Sequence, residues 1–285
     1  MNIELLNKFQ ESKVVVFDLD GTLYEDTEHF DYYADCLAQE LDRNLRKGFW
    51  NDLKKSRAGQ HPLKIGRVYD VEKDLILQIT IEGQVLKGWD WSGKKLPREL
   101  IYELYPDKIS CNMDSRIYLG DGWWPPAAIA YHYGLESTEC CYLKTKEWIN
   151  NNDDFLQPLP GLRRALENLQ REKTLILATN SDLQDTESIL SNLNLEGVFQ
   201  EIYTSCNKPE KSFELFKNIM KKYDCSAEQL ISIGDNYLNE ISPVIQLGGE
   251  AVLIDREEAF NRQEISGYII DSIGELIPIF MQLIE

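Results

Sequence analysis

The chain has 285 residues, 43% of them hydrophobic and 27% charged, which is enough apolar material for one large domain or two modest ones. Its formal net charge of -18 at pH 7 argues against a nucleic-acid partner, because proteins that bind a polyanion over a broad surface carry a basic footprint. No apolar run approaches the ~20 residues that a membrane span needs, so no membrane partner is expected.

The cysteines and the first residues indicate the compartment in which the protein works. The six cysteines are scattered and include no Cys-x-x-Cys pair, a pattern typical of reduced structural thiols rather than of a zinc ribbon. The opening stretch MNIELLNKFQESK carries acids and lacks the apolar core of a signal peptide. We therefore expect a cytoplasmic protein.

The first predicted element is a buried strand that ends in two acids. Residues 13–20, KVVVFDLD, form a short continuous apolar run, which is typical of a strand buried on both faces of a sheet. Asp18 and Asp20 close this run, and Gly21 and Thr22 follow at once. Two carboxylates at this spacing repel each other and are costly to desolvate. The pair therefore indicates either a turn of turn-favouring residues or a site that holds a cation.

The segment 27–154 departs from this pattern and predicts an inserted second domain of mixed α/β structure. It begins with an amphipathic helix on which apolar residues recur at helical spacing. These residues are Phe30, Tyr33, Leu37, Leu41 and Leu45. Residues 68–91 then alternate in the manner of strands. Shorter helical pieces are predicted at 97–105, 126–133 and 137–150.

The rest of the chain alternates buried strands with helices. Strands are predicted at 174–180, 199–205, 229–236, 250–255 and 267–271. Helices are predicted at 160–170 and 209–222, where large apolar residues recur on one face. This alternation implies parallel pairing and an α/β fold, a doubly wound parallel sheet. We predict that residues 1–26 and 155–285 together build this sheet domain.

Polar side chains follow four of the predicted strands, at the point where each strand ends. Because ligands of a doubly wound sheet bind at the carboxyl ends of its strands, we expect these side chains to meet. They are Asp18, Asp20, Thr179, Asn180, Ser181, Lys208, Asp235 and Glu240. One polar ending would mean little, but four endings with these residue types form a candidate site.

Phosphoryl transfer requires such a set of groups. A phosphate monoester is inert, and a carboxylate can split its hydrolysis into two steps by forming an aspartyl-phosphate. The carboxylate can approach a dianionic phosphate only if charge is neutralised, which a lysine and carboxylate-bound Mg²⁺ can provide. A hydroxyl can bind the remaining phosphate oxygens, while a second acid protonates the leaving oxygen and later deprotonates water.

Four stretches resemble the four motifs of the haloacid dehalogenase-like (HAD) superfamily, in the same order and strand context. They are DLDGTL, LILATNS, NKPEKSFELF and SIGDNYLNE. The insertion between the first two resembles the cap of the superfamily's C1 class. The resemblance implies a Rossmann-like core, with Asp18 as the nucleophile and Asp20 as the general acid and base.

The same resemblance implies which residues surround the phosphoryl group. Thr179, Asn180 and Lys208 would bind it, and Lys208 could also hold Asp18 in place. Simpler interpretations stay open for each of them. The Thr179 hydroxyl could satisfy the local backbone, Asn180 or Ser181 could cap the following helix, and Lys208 could be a solvated loop lysine.

The resemblance also implies a Mg²⁺ site as the cofactor site of the protein. The Asp18 carboxylate, the Asp20 backbone carbonyl and Asp235 would bind the metal. Glu240 stands where the family usually has a second acid, often Asp. A direct metal bond, an outer position and a contact to Lys208 all stay open for its longer side chain.

Four tryptophans in the insertion admit two interpretations. They are Trp89, Trp91, Trp123 and Trp124. We favour the core of the insertion itself, since large aromatic side chains dominate the packing of small domains. The alternative is an aromatic wall over the leaving group of a substrate.

The function predicted from these patterns is an enzyme, a Mg²⁺-dependent phosphatase. It would hydrolyse a small phosphorylated metabolite, its only predicted partner, through an aspartyl-phosphate. An Asp at position 20 resembles the phosphatase and phosphomutase group, because haloacid dehalogenases lack an acid there. A phosphomutase of the same fold and a phospho-acceptor or binding scaffold without turnover stay open as alternatives. The substrate and the oligomeric state are not predicted.

Overall fold

The computed structural model describes residues 3–80, 82–112, 115–152, 156–256 and 265–283. It divides the chain into two compact units. One unit combines Met1–Asp26 with Asn150–Glu285, and the other is Thr27–Ile149. In the described ranges, no helix is both long enough and apolar enough to cross a membrane.

The elements alternate in type along much of the chain. Within the described residues, the strands are β1 (Val14–Phe17), β2 (Val68–Asp70), β3 (Leu75–Ile79), β4 (Val85–Asp90), β5 (Arg116–Tyr118), β6 (Thr174–Ala178), β7 (Glu201–Tyr203), β8 (Leu230–Gly234), β9 (Glu250–Ile254) and β10 (Tyr268–Ile270). The α-helices are α1 (Ile3–Glu11), α2 (Glu28–Glu40), α3 (Arg46–Arg57), α4 (Arg98–Leu104), α5 (Trp124–His132), α6 (Glu139–Asn150), α7 (Leu162–Leu169), α8 (Leu183–Asn192), α9 (Ser212–Tyr223), α10 (Ser242–Leu247) and α11 (Ile277–Gln282). A π-helical turn spans Tyr237–Ile241, and short 3-10 helices span Ala227–Gln229 and Ile273–Leu276.

The first unit is built on a six-stranded sheet in the order β10-β9-β8-β1-β6-β7. All five strand pairs in it are parallel. Each of the six predicted strands is present, so the predicted doubly wound α/β fold is confirmed. The central strand β1 has β6 on one side and β8 on the other, with Phe17 opposite Leu177 and Ile233. This register brings the residues that follow β1, β6 and β8 to the same edge.

Helices cover both faces of β1, which explains why the strand is apolar throughout. On one face, Val14 and Val16 pack in a cluster with Phe216 and Ile219 of α9. On the other, the Phe17 ring lies 5.8 Å from Phe199 and 6.3 Å from Phe280 of α11. A strand anchored on both faces holds the residue after it in a defined place.

The second unit contains a four-stranded sheet in the order β4-β3-β2-β5. Its strand pairs are antiparallel, and helices α2, α3 and α5 contribute to one buried apolar cluster beside it. The three predicted shorter helices correspond to α4, α5 and α6. Strand β5 and helix α3 were not predicted. In α3 the only buried apolar residues are Phe49 and Leu53, which is too few to show a helical period.

One predicted helix is wrong in its extent. The apolar spacing predicts a helix that continues through Leu41 and Leu45, but α2 ends at Glu40 and Leu41 is extended, with φ -76° and ψ 152°. A turn follows, in which the Leu45 amide donates to the Asp42 carbonyl. Leu41 is nevertheless buried, so its apolar character reflects the packing of this turn rather than a helical face.

Three of the four tryptophans singled out in the insertion pack against the apolar cluster of the second unit. Trp91, Trp123 and Trp124 lie against its apolar cluster, and the Trp91 Nε1 donates to Asp52 at 2.9 Å. These contacts agree with the favoured interpretation of these three as part of the packing of the insertion, and their role towards a substrate stays a prediction. The Arg67 guanidinium carbon lies over the Trp89 ring, 4.0 Å from the ring centroid.

Candidate active site

Asp18 extends the sheet by one residue beyond β1. Its backbone amide donates to the Ile233 carbonyl at 3.0 Å, which continues the pairing with β8. The Leu19 carbonyl then accepts the amides of Thr22 and Leu23, so the chain turns immediately after the strand. Asp18 is buried, and only 7% of the residue is exposed.

Both oxygens of the Asp18 carboxylate accept hydrogen bonds. The Lys208 ammonium donates to Oδ1 at 2.8 Å, and the Thr22 hydroxyl donates to Oδ2 at 3.2 Å. Burial raises the pKa of the Asp18 carboxyl, the Lys208 charge opposes that rise, and the neighbouring Asp20 charge adds to it. A buried carboxylate in this position is fixed in orientation and depends on nearby positive charge.

Lys208 is a buried lysine rather than a solvated loop lysine. It is 2% exposed, and its ammonium donates to Asp18, to Glu240 at 2.6 Å and to the Ala178 carbonyl at 2.8 Å. An ammonium has three hydrogens to donate, so these contacts engage all of them. The geometry favours a role in holding Asp18 over direct contact with a phosphoryl group.

Asn180 holds the backbone of the same lysine. Its side-chain nitrogen donates to the Lys208 carbonyl at 2.9 Å, and its side-chain oxygen accepts the Lys208 amide at 2.8 Å. This pair of bonds ties the end of β6 to the loop after β7. Asn180 therefore positions Lys208, whereas direct substrate binding by Asn180 stays a prediction.

Glu240 is the second carboxylate on Lys208. It lies in the π-helical turn after β8 and is 2% exposed, and its Oε2 accepts the Asn236 amide at 3.1 Å. Gly234 leaves room for it, since a Cβ there would lie 2.4 Å from the Glu240 Cγ. Burial raises the pKa of the Glu240 carboxyl, and Lys208 opposes that rise. Of the three possibilities left open by the sequence, the structure has Glu240 in contact with Lys208.

Asp20 is held by two hydroxyl groups to which the resemblance to the family assigned no role. The Tyr24 hydroxyl donates to Oδ1 at 2.7 Å, and the Ser181 hydroxyl donates to Oδ2 at 2.8 Å. Burial and the Asp20 charge raise the pKa of the Tyr24 phenol well above its ordinary value, so the phenol keeps its proton to donate. The spacing of four residues between Asp20 and Tyr24 was the only signal of this contact in the sequence.

Thr179 lies at the end of β6 and is 1% exposed. Its hydroxyl oxygen accepts the Ser181 amide at 3.0 Å, as the simpler interpretation expected. The hydroxyl hydrogen stays available in this bond to donate to a ligand oxygen. The alternative that Asn180 or Ser181 caps α8 is wrong, because Asp182 is the N-cap and accepts the Asp185 amide.

Asp235 lies against the turn that carries Asp18 and Asp20. A Cβ on Gly21 would be 2.1 Å from the Asp235 Oδ2, so the absence of a side chain at Gly21 permits this approach. Gly21 also has a left-handed backbone, with φ 75°, and its carbonyl accepts the Arg256 guanidinium at 2.7 Å. The turn thus brings two carboxylates and its own carbonyl groups to one edge of the sheet.

The donors at this edge suit a hard divalent cation. Mg²⁺ prefers carboxylate and carbonyl oxygens and usually keeps several waters. No set of three or more His, Cys, Asp or Glu side chains in the described ranges is arranged to hold a metal ion. The Mg²⁺ site that the family resemblance implies would use only two side chains of these types, the carboxylates of Asp18 and Asp235. Its third ligand from the protein would be the backbone carbonyl of Asp20.

We expect Gly21→Ala to destabilise the protein more than the same change at a matched glycine. Gly197 has a similar φ of 74°, but nothing lies within 4 Å of a Cβ there. Backbone strain should cost about 1–2 kcal/mol at Gly197, whereas the clash with Asp235 should raise the cost at Gly21 to about 2–5 kcal/mol. Urea denaturation of both variants measures this difference. Equal losses of stability would contradict the close approach of Asp235.

Comparisons with known proteins extend these observations. The family model for haloacid dehalogenase-like hydrolases matches residues 12–246. Among solved structures, the chain is similar to the HAD-hydrolase YfnB from Bacillus subtilis, crystallised with magnesium bound. The identity is 16% and the TM-score 0.52, over 94% of this chain and 98% of that one. At this identity the likeness concerns the fold alone.

A second solved structure is similar over most of its length. It is a haloacid dehalogenase-like family hydrolase from Xanthomonas campestris, with 15% identity, a TM-score of 0.46 and coverage of 95% of this chain and 96% of that one. No protein of curated function matches the chain.

Proposed function

The chain belongs to the haloacid dehalogenase-like hydrolases, and we propose that it hydrolyses the phosphate ester of a small metabolite through an aspartyl-phosphate on Asp18. The observation that carries this proposal is the Asp20 carboxylate, held by Tyr24 and Ser181 two residues beyond Asp18. An acid in this place serves a reaction in which a leaving oxygen needs a proton. Loss of a halide requires no such proton.

In the first step, the Asp18 carboxylate attacks the phosphorus atom of the ester. The bond between phosphorus and the ester oxygen breaks, and that oxygen takes a proton from Asp20. Lys208 and Thr22 hold the Asp18 carboxylate in one orientation through the bonds to its two oxygens. The Thr179 hydroxyl can donate to a phosphoryl oxygen from the end of β6.

In the second step, Asp20 takes a proton from water, which attacks the phosphorus atom of the aspartyl-phosphate. The bond to Asp18 breaks, and inorganic phosphate and the free carboxylate form. The same residue thus serves as acid in the first step and as base in the second, and it regains its proton by the end of the cycle. Ser181 and Tyr24 keep Asp20 beside the reacting groups in both steps.

A divalent cation fits the charge balance of this edge. Asp18, Asp20, Asp235 and Glu240 contribute four carboxylates, of which Lys208 contacts two. When bound by Asp18, Asp235 and the Asp20 carbonyl, Mg²⁺ would neutralise charge on the phosphoryl oxygens. The magnesium in the Bacillus subtilis structure supports the choice of metal.

Phosphate release from a panel of phosphorylated metabolites tests this function. We expect release over many turnovers with Mg²⁺, loss of release on chelation with EDTA, and recovery when Mg²⁺ is restored. Asp235→Asn should raise the Mg²⁺ concentration needed for half-maximal rate, whereas Asp224→Asn, at the exposed end of α9, should leave it unchanged. Absence of release from every ester, or release that EDTA does not affect, would overturn the proposal. Analysis of the organic product separates a hydrolase from a phosphomutase.

A further inference from the structure

The contacts of Asp20 point to two residues that control its chemistry without touching a substrate. We propose that Tyr24 and Ser181 are positioning residues that aim the Asp20 carboxyl at the leaving oxygen. The inference rests on the proposed phosphatase function. It assigns roles to two side chains that the family resemblance does not place in the reaction.

The geometry of the two hydrogen bonds carries the proposal. Each oxygen of Asp20 accepts one hydroxyl, with Tyr24 at 2.7 Å and Ser181 at 2.8 Å. Rotation of the carboxyl about its bond to Cβ would break both contacts together. Two bonds to opposite oxygens therefore fix the carboxyl plane as well as its place, which a single bond would not do.

The two hydroxyls come from different elements, and both are buried. Tyr24 lies four residues beyond Asp20 in the turn after β1 and is 1% exposed, and Ser181 follows β6 and is 3% exposed. The Ser181 backbone is itself held, because its amide donates to the Thr179 hydroxyl at 3.0 Å. Asp20 is thus tied at once to its own turn and to the neighbouring strand end.

The orientation of the Asp20 carboxyl affects the rate of the first step only when the leaving oxygen needs a proton. An alkoxide is a poor leaving group and requires protonation as the ester bond breaks, whereas p-nitrophenolate leaves without it. The value of kcat/KM reports the steps up to formation of the aspartyl-phosphate, so it isolates the first proton transfer. The later attack of water is common to both esters and enters kcat alone.

The experiment compares kcat/KM of the full chain with Mg²⁺ for two substrates, p-nitrophenyl phosphate and the alkyl phosphate that the metabolite panel shows to be hydrolysed fastest. The variants are Tyr24→Phe, Ser181→Ala, Asp20→Asn and the double variant Y24F/D20N. We expect Tyr24→Phe and Ser181→Ala to lower kcat/KM for the alkyl ester about 10- to 100-fold. The value for the nitrophenyl ester should change far less. In the Asp20→Asn background, Tyr24→Phe should cause no further loss for the alkyl ester, because its effect passes through Asp20.

Tyr223→Phe serves as the matched control. It removes another tyrosine hydroxyl that donates to a carboxylate, that of Glu201 at 2.6 Å, and it should leave both kcat/KM values unchanged. Urea denaturation of each variant establishes that it is folded at the assay temperature.

Three results would count against this assignment. Equal losses for the two esters, or full additivity of Tyr24→Phe and Asp20→Asn, would overturn the positioning role while leaving the phosphatase function in place. Failure of the wild-type protein to release phosphate from every ester of the metabolite panel would instead overturn the proposed function, and the inference with it.

Discussion

Asp18→Asn should abolish phosphate release while leaving the protein folded. The amide of asparagine is a far weaker nucleophile than a carboxylate, so the aspartyl-phosphate cannot form. The side chain keeps its shape, and its oxygen can still accept the Lys208 ammonium that bonds to Oδ1. Steady-state release from the best ester of the panel, together with the midpoint of urea denaturation, measures both expectations.

Asp182→Asn is the matched control for this variant. Asp182 follows β6 near the same edge, but it is exposed and caps α8 through its side chain. Asparagine caps helices about as well as aspartate, so neither stability nor turnover should change. Turnover of Asp18→Asn near the wild-type rate would remove Asp18 from the mechanism.

Lys208→Met should lower both stability and turnover. Two buried carboxylates, Asp18 and Glu240, lose their shared cation, and removal of one partner from a buried ion pair costs about 3–5 kcal/mol. Asp18 also loses the bond that fixes its Oδ1. Urea denaturation and steady-state phosphate release of the same preparations measure the two losses.

A second change separates charge from packing at this position. In the Lys208→Met background, Glu240→Gln removes one uncompensated carboxylate, so part of the lost stability should return without recovery of turnover. Lys173→Met is the matched control, since this lysine donates to the Gln10 and Ser12 carbonyls. Its loss should cost less and spare turnover. No recovery on adding Glu240→Gln would contradict the charge argument.

The sheet and the place of the site could be predicted because both depend on local patterns. A strand buried on both faces must be apolar throughout, as β1 is, and its neighbours show the same signature. Parallel pairing then places whatever follows each strand at one edge. The register of β6 and β8 with β1 places Asp18, Thr179 and Asp235 at that edge.

The contacts between side chains could not be predicted, because they depend on distances that sequence spacing does not set. Glu240 contacts Lys208 because it lies in the π-helical turn and because Gly234 leaves room for its side chain. The contact of Ser181 with Asp20 spans 161 positions. Leu41 was predicted to lie in a helix because of its spacing, but it lies in the turn after α2 and is buried there.

The central claim is a covalent phosphoryl intermediate on Asp18, and acid quenching during turnover tests it most directly. The protein is mixed with p-nitrophenyl phosphate and Mg²⁺, quenched, digested and analysed by mass spectrometry. We expect the peptide that contains Asp18 to gain one phosphoryl group. The gain should be larger in Asp20→Asn, which lacks the base for hydrolysis, and absent in Asp18→Asn. A turning-over enzyme with no phosphoryl group on this peptide, even in Asp20→Asn, would contradict the account.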